Sequence, residues 1–96
     1  MIVRIEIEGT RAGFFAYRVT LEAEELYADD GLDSVAGCLV GAVEGMAPDV
    51  VGAEIWYRNI VSGTYPLSVI GMRLDQVAEH ASNTTEAIEE IFDNQR

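Results

Sequence analysis

Few side chains in this chain have the types and spacing that catalysis or metal binding requires. A hydrolytic site pairs a nucleophile with a histidine that a third group orients, and His80 is the only histidine among the 96 residues. His80 falls on a segment predicted to form an acidic amphipathic helix, which favours a solvent-facing residue. Cys38 is also the only residue of its type, so a disulfide framework and a cysteine metal cluster are excluded, and its apolar neighbours are typical of a small buried side chain.

The carboxylates are the remaining candidates for chemistry, and their pattern matches no catalytic or metal-binding loop. Asp29, Asp30, Gly31 and Asp33 resemble a fragment of a calcium loop, but the spacing differs from an EF-hand and no glutamate follows at the twelfth position. The glycines form neither a Walker loop nor a G-x-G-x-x-G turn. Solvated carboxylates also lack the burial that raises a pKa for acid-base work. We therefore predict a protein that is not an enzyme and that uses no metal and no cofactor.

Net charge is the most distinctive bulk property of the sequence. Seventeen acidic residues stand against six basic ones, all arginine, for a net charge of −11. The first acidic row contains no basic residue and consists of Glu22, Glu24, Glu25, Asp29, Asp30 and Asp33. The second acidic row is opposed only by Arg73 and Arg96 and consists of Asp75, Glu79, Glu86, Glu89, Glu90 and Asp93.

This charge distribution decides which partners are favoured. Binding to phosphate depends on lysine and arginine side chains that displace counterions, so direct nucleic-acid binding and anionic membranes are disfavoured. A protein partner with a basic surface is favoured instead. We predict that the carboxylates of both acidic rows, except Asp75, form the partner-binding surface.

Two hairpins and two helices are predicted to position these residues. The segment 3–8 alternates between apolar and charged residues, and 14–22 alternates again, which predicts a first hairpin. The segments 50–60 and 67–74 predict a second hairpin, with turn residues at 62–66. The predicted fold is a single compact α+β domain over residues 1–96, with ββαββα order and a four-stranded antiparallel sheet that has helices packed on one face.

The predicted helices have recognisable ends. Asp33 or Ser34 is placed to cap the first helix, and Pro48 closes it. In the C-terminal segment Asn83 precedes Glu86 with the spacing of a capping box, which indicates either one bent helix or two pieces.

The first helix carries an unusual row of glycines, because its sequence reads SVAGCLVGAVEG. Gly37, Gly41 and Gly45 fall on one side, and each glycine disfavours a helix by about 1 kcal/mol relative to alanine. The apolar run is too short to cross a bilayer. The bare side is therefore predicted to pack against the C-terminal helix or another part of the same chain, or to form a homodimer or partner contact.

Three function classes follow from these features. The favoured one is an acidic inhibitor of a basic nucleic-acid-binding protein, since small acidic phage proteins of the DNA-mimic type, including many anti-CRISPR proteins, resemble this chain in size and charge. The alternative is a dimeric interaction subunit or antitoxin-like protein whose acidity provides only solubility or reflects a salt-loving or GC-rich host. A small enzyme with a site beneath the hairpins is the least favoured.

Two further expectations concern location and aromatic contacts. The opening MIVRIEIEGT has no basic leader and no continuous apolar segment, which predicts a cytoplasmic protein. Trp56, Tyr57 and Arg58, with Tyr65 nearby, are predicted to form either a contact patch or a mixture of core and rim residues.

Overall fold

A computed structural model describes residues 1–11 and 13–94, except the side chains of Thr10 and Arg11, as a five-stranded mixed sheet with helices on one face. The strands lie side by side in the order β3-β2-β1-β4-β5. Along the chain the elements are β1 (Ile2–Arg11), β2 (Phe14–Leu21), β3 (Glu24–Leu32), α1 (Val35–Glu44), β4 (Gly52–Tyr57), β5 (Ile60–Pro66), α2 (Leu67–Met72) and α3 (Leu74–Asn94).

The central strand β1 organises the hydrophobic core. Ile5 pairs with Val19 of β2 in antiparallel register and with Ile55 of β4 in parallel register, and all three side chains are fully buried. Leu39 of α1 and Ile70 of α2 are fully buried in the same cluster. Because side chains alternate along a strand, the second face of β1 carries Arg4, Glu6 and Glu8 and has no helix packed on it.

The prediction of an α+β fold is confirmed, but the four-stranded antiparallel sheet and the ββαββα order are wrong in detail. The acidic segment after β2 forms a third strand, β3, at the edge of the sheet. Acidic side chains are uncommon in strands, but an edge strand keeps most of its side chains in water and is protected by their charge. In addition β1 and β4 run parallel, which requires a crossover, and α1 provides it.

The second hairpin also differs from its predicted position. Residues 60–66 form β5, whereas the segment predicted as the last strand begins with helix α2. The turn lies at Arg58 and Asn59, whose φ values of 51° and 65° match the right-handed twist of a hairpin. Gly63 and Pro66 therefore lie in an edge strand, where a glycine and a proline are tolerated because one side of the backbone is unpaired.

The C-terminal helix is one continuous element, so Asn83 lies inside α3 and does not begin a helix. Thr85 fastens this helix to the sheet, because its buried hydroxyl donates a hydrogen bond of 2.9 Å to the carbonyl oxygen of Tyr57 at the end of β4. Because α3 carries many charged side chains, such contacts and the packing of its apolar side hold it on the rest of the fold.

Substitution of Thr85 with valine is expected to lower the free energy of unfolding by about 1 to 2 kcal/mol, because the carbonyl of Tyr57 remains buried without its donor. Thr84→Val, at the next, half-buried position, is the matched control and is expected to change stability by less than about 0.5 kcal/mol. Urea unfolding of both variants measures the difference. Equal losses would contradict the role of the Thr85 hydrogen bond.

The turn between β2 and β3 contains backbone strain at two residues that are not glycine. Glu22 and Ala23 have φ values of 53° and 69°, a region that costs roughly 1 kcal/mol for a residue with a Cβ. Ala23→Gly is therefore expected to raise the free energy of unfolding by about 0.5 to 1 kcal/mol. Ala28→Gly, at an exposed position of the regular part of β3, is expected to lower it by a similar amount. Urea unfolding of both variants tests this, and destabilisation by Ala23→Gly would contradict it.

The glycine side of α1 faces two tyrosines of the same chain. Ser34 caps the helix by accepting a hydrogen bond from the Gly37 amide. A Cβ at Gly41 would lie 3.0 Å from the ring and hydroxyl of Tyr17, and one at Gly45 would lie 2.7 Å from the ring of Tyr27. Tyr27 also donates a hydrogen bond to the carbonyl oxygen of Ala42. Gly41 and Gly45 thus let α1 approach β2 and β3 closely, and α1 also contacts the C-terminal helix.

Candidate protein-binding surfaces

The structure places every carboxylate of the first acidic row in water. Glu22 lies in the β2–β3 turn, four of the others lie on β3, and Asp33 lies directly before α1. The second row lies along α3. All its carboxylates are exposed except that of Glu89, which is half-buried and forms an ion pair of 3.1 Å with Arg58. A paired carboxylate attracts a basic partner less, so the ion pair with Arg58 weakens the contribution of Glu89 to the predicted partner-binding set.

Part of the first row lines a groove of about 460 Å³ on the sheet face without helices, called here the sheet groove. Ala16 and Ala28 leave space at its floor, and Arg18 is the one cation among its described lining residues. The acidic residues that line it are Glu6, Glu8, Glu25, Asp29 and Asp30, and of these Asp29 pairs with Tyr17, whose side chain faces α1. Glu6 and Glu8 come from β1 and belong to neither predicted row. Only the pairing of β1 with β2, and of β2 with β3, brings them to the same groove as the acidic residues of β3.

Part of the second row lines a different groove of about 470 Å³, between α1 and α3, called here the helix groove. Phe15, Val35 and Tyr57 contribute apolar surface to it. Its carboxylates are those of Asp33, Asp75, Glu79 and Glu86. Asp33 is the member of the first row that the fold brings to the second.

The two grooves lie on different sides of the sheet, one on the face without helices and one in the helix layer. Asp30 lines the sheet groove, and Asp33, three residues later, lines the helix groove. Phe15 and Ala16 are likewise adjacent residues that line different grooves. Both sides of the sheet therefore carry a groove with an acidic lining.

Three of the arginines whose side chains the structure describes, Arg4, Arg18 and Arg58, form ion pairs near these surfaces. Arg18 contacts Glu6 at 3.0 Å, and this hydrogen bond raises the pKa of Arg18 further above its ordinary range. Arg4 contacts Glu54 at 3.1 Å. All of these pairs are exposed to solvent, so each contributes little to stability. The described cations neutralise only some of the carboxylates that line the two grooves.

The predicted aromatic patch is divided between the two faces of the sheet. Trp56 is half-buried on the face without helices, whereas Tyr57 is buried on the helix side. Arg58 lies over the Tyr57 ring at 5.0 Å, and Tyr65 pairs with the buried Ala53. Trp56 instead lies under the Arg4 guanidinium, 4.4 Å from the ring centroid. Alternation along β4 explains the division.

The remaining side chains that could take part in chemistry, one histidine and one cysteine, are isolated. His80 is exposed on α3, and Cys38 is fully buried in the core. Among the residues that the structure describes, no three or more histidine, cysteine, aspartate or glutamate side chains are grouped to hold a metal ion. Burial, and to a smaller extent the charge of Asp29, raises the pKa of the Cys38 thiol to about 11.

This pKa shift predicts a loss of stability at high pH. The unfolded thiol ionises near its ordinary pKa of 9.0 and the folded one near 11, so between these values the unfolded state binds fewer protons. Stability from this group is complete below pH 9 and declines as the pH rises toward 11. Burial also raises the pKa values of Tyr17 and Tyr27, which act in the same direction at still higher pH. Urea unfolding at pH 8 to 10.5 should show a steeper decline for the parent than for Cys38→Ala, and parallel curves would contradict this.

No described helix has both the length and the apolar composition needed to span a membrane. No protein-family model matches the chain, and neither a curated protein nor a solved structure is significantly similar to it.

Proposed function

We propose that this chain is a non-enzymatic binding protein that inhibits a nucleic-acid-binding protein by occupying its basic surface. The observation that carries the proposal is the acidic lining of both grooves: among the described lining residues, the sheet groove has five acidic residues beside one arginine, and the helix groove has four and no cation. A partner that holds a phosphate backbone with arginine and lysine presents the complementary charge. Carboxylates fixed on a strand and a helix offer that partner a pre-organised array of negative charge.

The charge balance supports inhibition by mimicry of nucleic acid over direct binding to nucleic acid. The net charge is −11, and Arg4, Arg18 and Arg58 already pair with glutamates. A surface of this kind repels phosphate and accelerates encounter with basic proteins. The DNA-mimic class, to which many anti-CRISPR proteins belong, therefore remains the specific form of the proposal.

Affinity capture tests this function. The chain is immobilised beside a column of poly-L-glutamate, and extract of its own host is passed over both at low salt. We expect the chain to retain nucleic-acid-binding proteins that poly-L-glutamate does not retain. Release should be steep between about 0.1 M and about 1 M salt, where the screening length falls from about 10 Å to about 3 Å. Retention that is insensitive to salt, or no retention beyond that of poly-L-glutamate, would contradict the proposal.

A second candidate function is a dimeric interaction subunit or antitoxin-like protein. Ile91 and Phe92 on the last turns of α3 are 56% and 61% exposed, which supports an apolar contact with a second copy through this helix. Sedimentation across a concentration range tests it, because a strict monomer would exclude this candidate. If the acidity reflects only a salt-loving host, the midpoint of thermal unfolding should rise strongly in molar salt.

A further inference from the structure

We infer that the open face of the sheet, the face without helices, is the surface on which the basic partner docks, with Trp56 as the anchor for an apolar side chain of that partner. This inference rests on the proposed function and deepens it. It selects one of the two acidic grooves and adds an apolar requirement to the charge requirement. The partner then presents a basic surface that also carries an exposed aliphatic residue.

The open face is broad and is left uncovered by the described residues. Val3, Ile5 and Ile7 of β1 are buried under the helices, whereas Arg4 and Glu8 between and after them are exposed. Five strands at about 4.8 Å spacing give this face a width of about 19 Å. Such a face is wide enough to receive a helix or an extended segment of another protein.

Strand register places acidic and apolar groups on opposite halves of this face. One complete row across the five strands consists of Ala28, Arg18, Glu6, Trp56 and Val61. The next row consists of Glu25, Thr20, Arg4, Glu54 and Thr64. The β2–β3 half therefore holds the sheet groove, and the β4–β5 half holds Trp56 beside Val61, which is 43% exposed.

Neighbouring charges hold Trp56 in place before any partner arrives. Its indole N–H donates to Glu54 Oε1, the same oxygen that accepts a hydrogen bond from Arg4 Nε. The Arg4 guanidinium covers the ring at 4.4 Å from its centroid. Because the N–H is already bonded, the accessible remainder of the ring offers apolar contact. A rigid tryptophan next to arginine is the composition that dominates binding energy in interfaces.

The charges of the open face identify the occupant as a basic partner and disfavour a second copy. Arg4 and Arg18 are both paired on this face, and among the described side chains no other cation lines the sheet groove beside Glu8, Glu25 and Asp30. Two copies placed face to face would bring these carboxylates together, and such like-charge contacts oppose association. At the same positions, the carboxylates attract the basic side chains of a partner and favour its association.

Two synthetic peptides of equal charge test the inference, one alternating arginine with leucine and one alternating arginine with serine. Trp56 is the only tryptophan, so its fluorescence reports directly on this face. We expect the leucine peptide to bind at least about tenfold more tightly and to shift the emission of Trp56 to shorter wavelength. Trp56→Ala, followed by calorimetry, and Val61→Thr, which retains the fluorophore, should each remove most of this preference. Met72→Ala is the matched control, since this apolar side chain is 83% exposed and lies on α2, away from the open face.

Each other outcome overturns the inference in a distinguishable way. Equal affinity for both peptides, with salt-dependent binding and no response of Trp56, would overturn the docking surface and leave the proposed function standing. No binding of either peptide at low salt would overturn both. If Trp56 emission changed with protein concentration alone and sedimentation showed a dimer, the open face would belong to a second copy.

Discussion

Gly41→Leu is expected to lower the free energy of unfolding by about 3 kcal/mol or to prevent folding. A Cβ at this position would lie 3.0 Å from two atoms of the Tyr17 side chain, which is only 7% exposed and has little room to move. Three further carbons would force α1 away from β2 and open the core. Urea unfolding followed by circular dichroism measures the loss.

Gly71→Leu is the matched control, because nothing lies within 4 Å of a Cβ added there. That variant is expected to be neutral or stabilising by up to about 1 kcal/mol, since leucine favours a helix more than glycine does. Equal stability of Gly41→Leu and the parent would contradict the packing of α1 on Tyr17. If Gly41→Leu kept its stability but lost an assembly formed by the parent, the glycines would lie in an interface between molecules.

The double reversal Glu8→Lys with Asp30→Lys is expected to weaken binding of the basic partner or of the arginine peptides by about a hundredfold. Both carboxylates line the sheet groove. Each reversal replaces an attraction of about 0.7 kcal/mol, the value for two charges about 6 Å apart in water, with a comparable repulsion, and each resulting change of about 1.4 kcal/mol corresponds to a factor of ten in affinity. Calorimetric titration at low salt measures the change, while circular dichroism establishes that the variant is folded.

The control for this reversal makes the same change of net charge elsewhere. Glu44 and Asp49 are exposed and belong to neither groove. Glu44→Lys with Asp49→Lys is therefore expected to change affinity only a few-fold, through the general field of the protein. Similar losses from both double variants would mean that net charge, and not the sheet groove, controls binding.

The core of the fold could be predicted from the sequence because its signals are local. Alternation along β1 identifies the buried face, and Ser34 is a side chain suited to cap a helix. The edge strand β3 could not be predicted in this way. Only Tyr27 and Leu32 among its residues are even partly buried, so there is no alternation to detect. The strand forms because its backbone hydrogen-bonds to β2, and this pairing depends on tertiary structure.

The candidate surface was predictable only in part for the same reason. The carboxylates from Glu22 to Asp33 are adjacent in sequence, and composition alone identifies them. The contribution of Glu6 and Glu8 depends on the register between β1 and β2, and the separation of Trp56 from Tyr57 depends on which face of β4 is buried. Neither is fixed by spacing along the chain, because each depends on which strands become neighbours.

Competition with nucleic acid tests the central claim most directly. A nucleic-acid-binding protein captured by the chain is purified, loaded with labelled nucleic acid and titrated with the chain, and the fluorescence anisotropy of the label is followed. The proposed function predicts that the nucleic acid is released in proportion to the chain added and that no ternary complex forms. The Glu8→Lys and Asp30→Lys double variant should release it only at far higher concentration. A stable complex of the chain, its partner and nucleic acid would contradict the claim that the acidic surface occupies the site for nucleic acid.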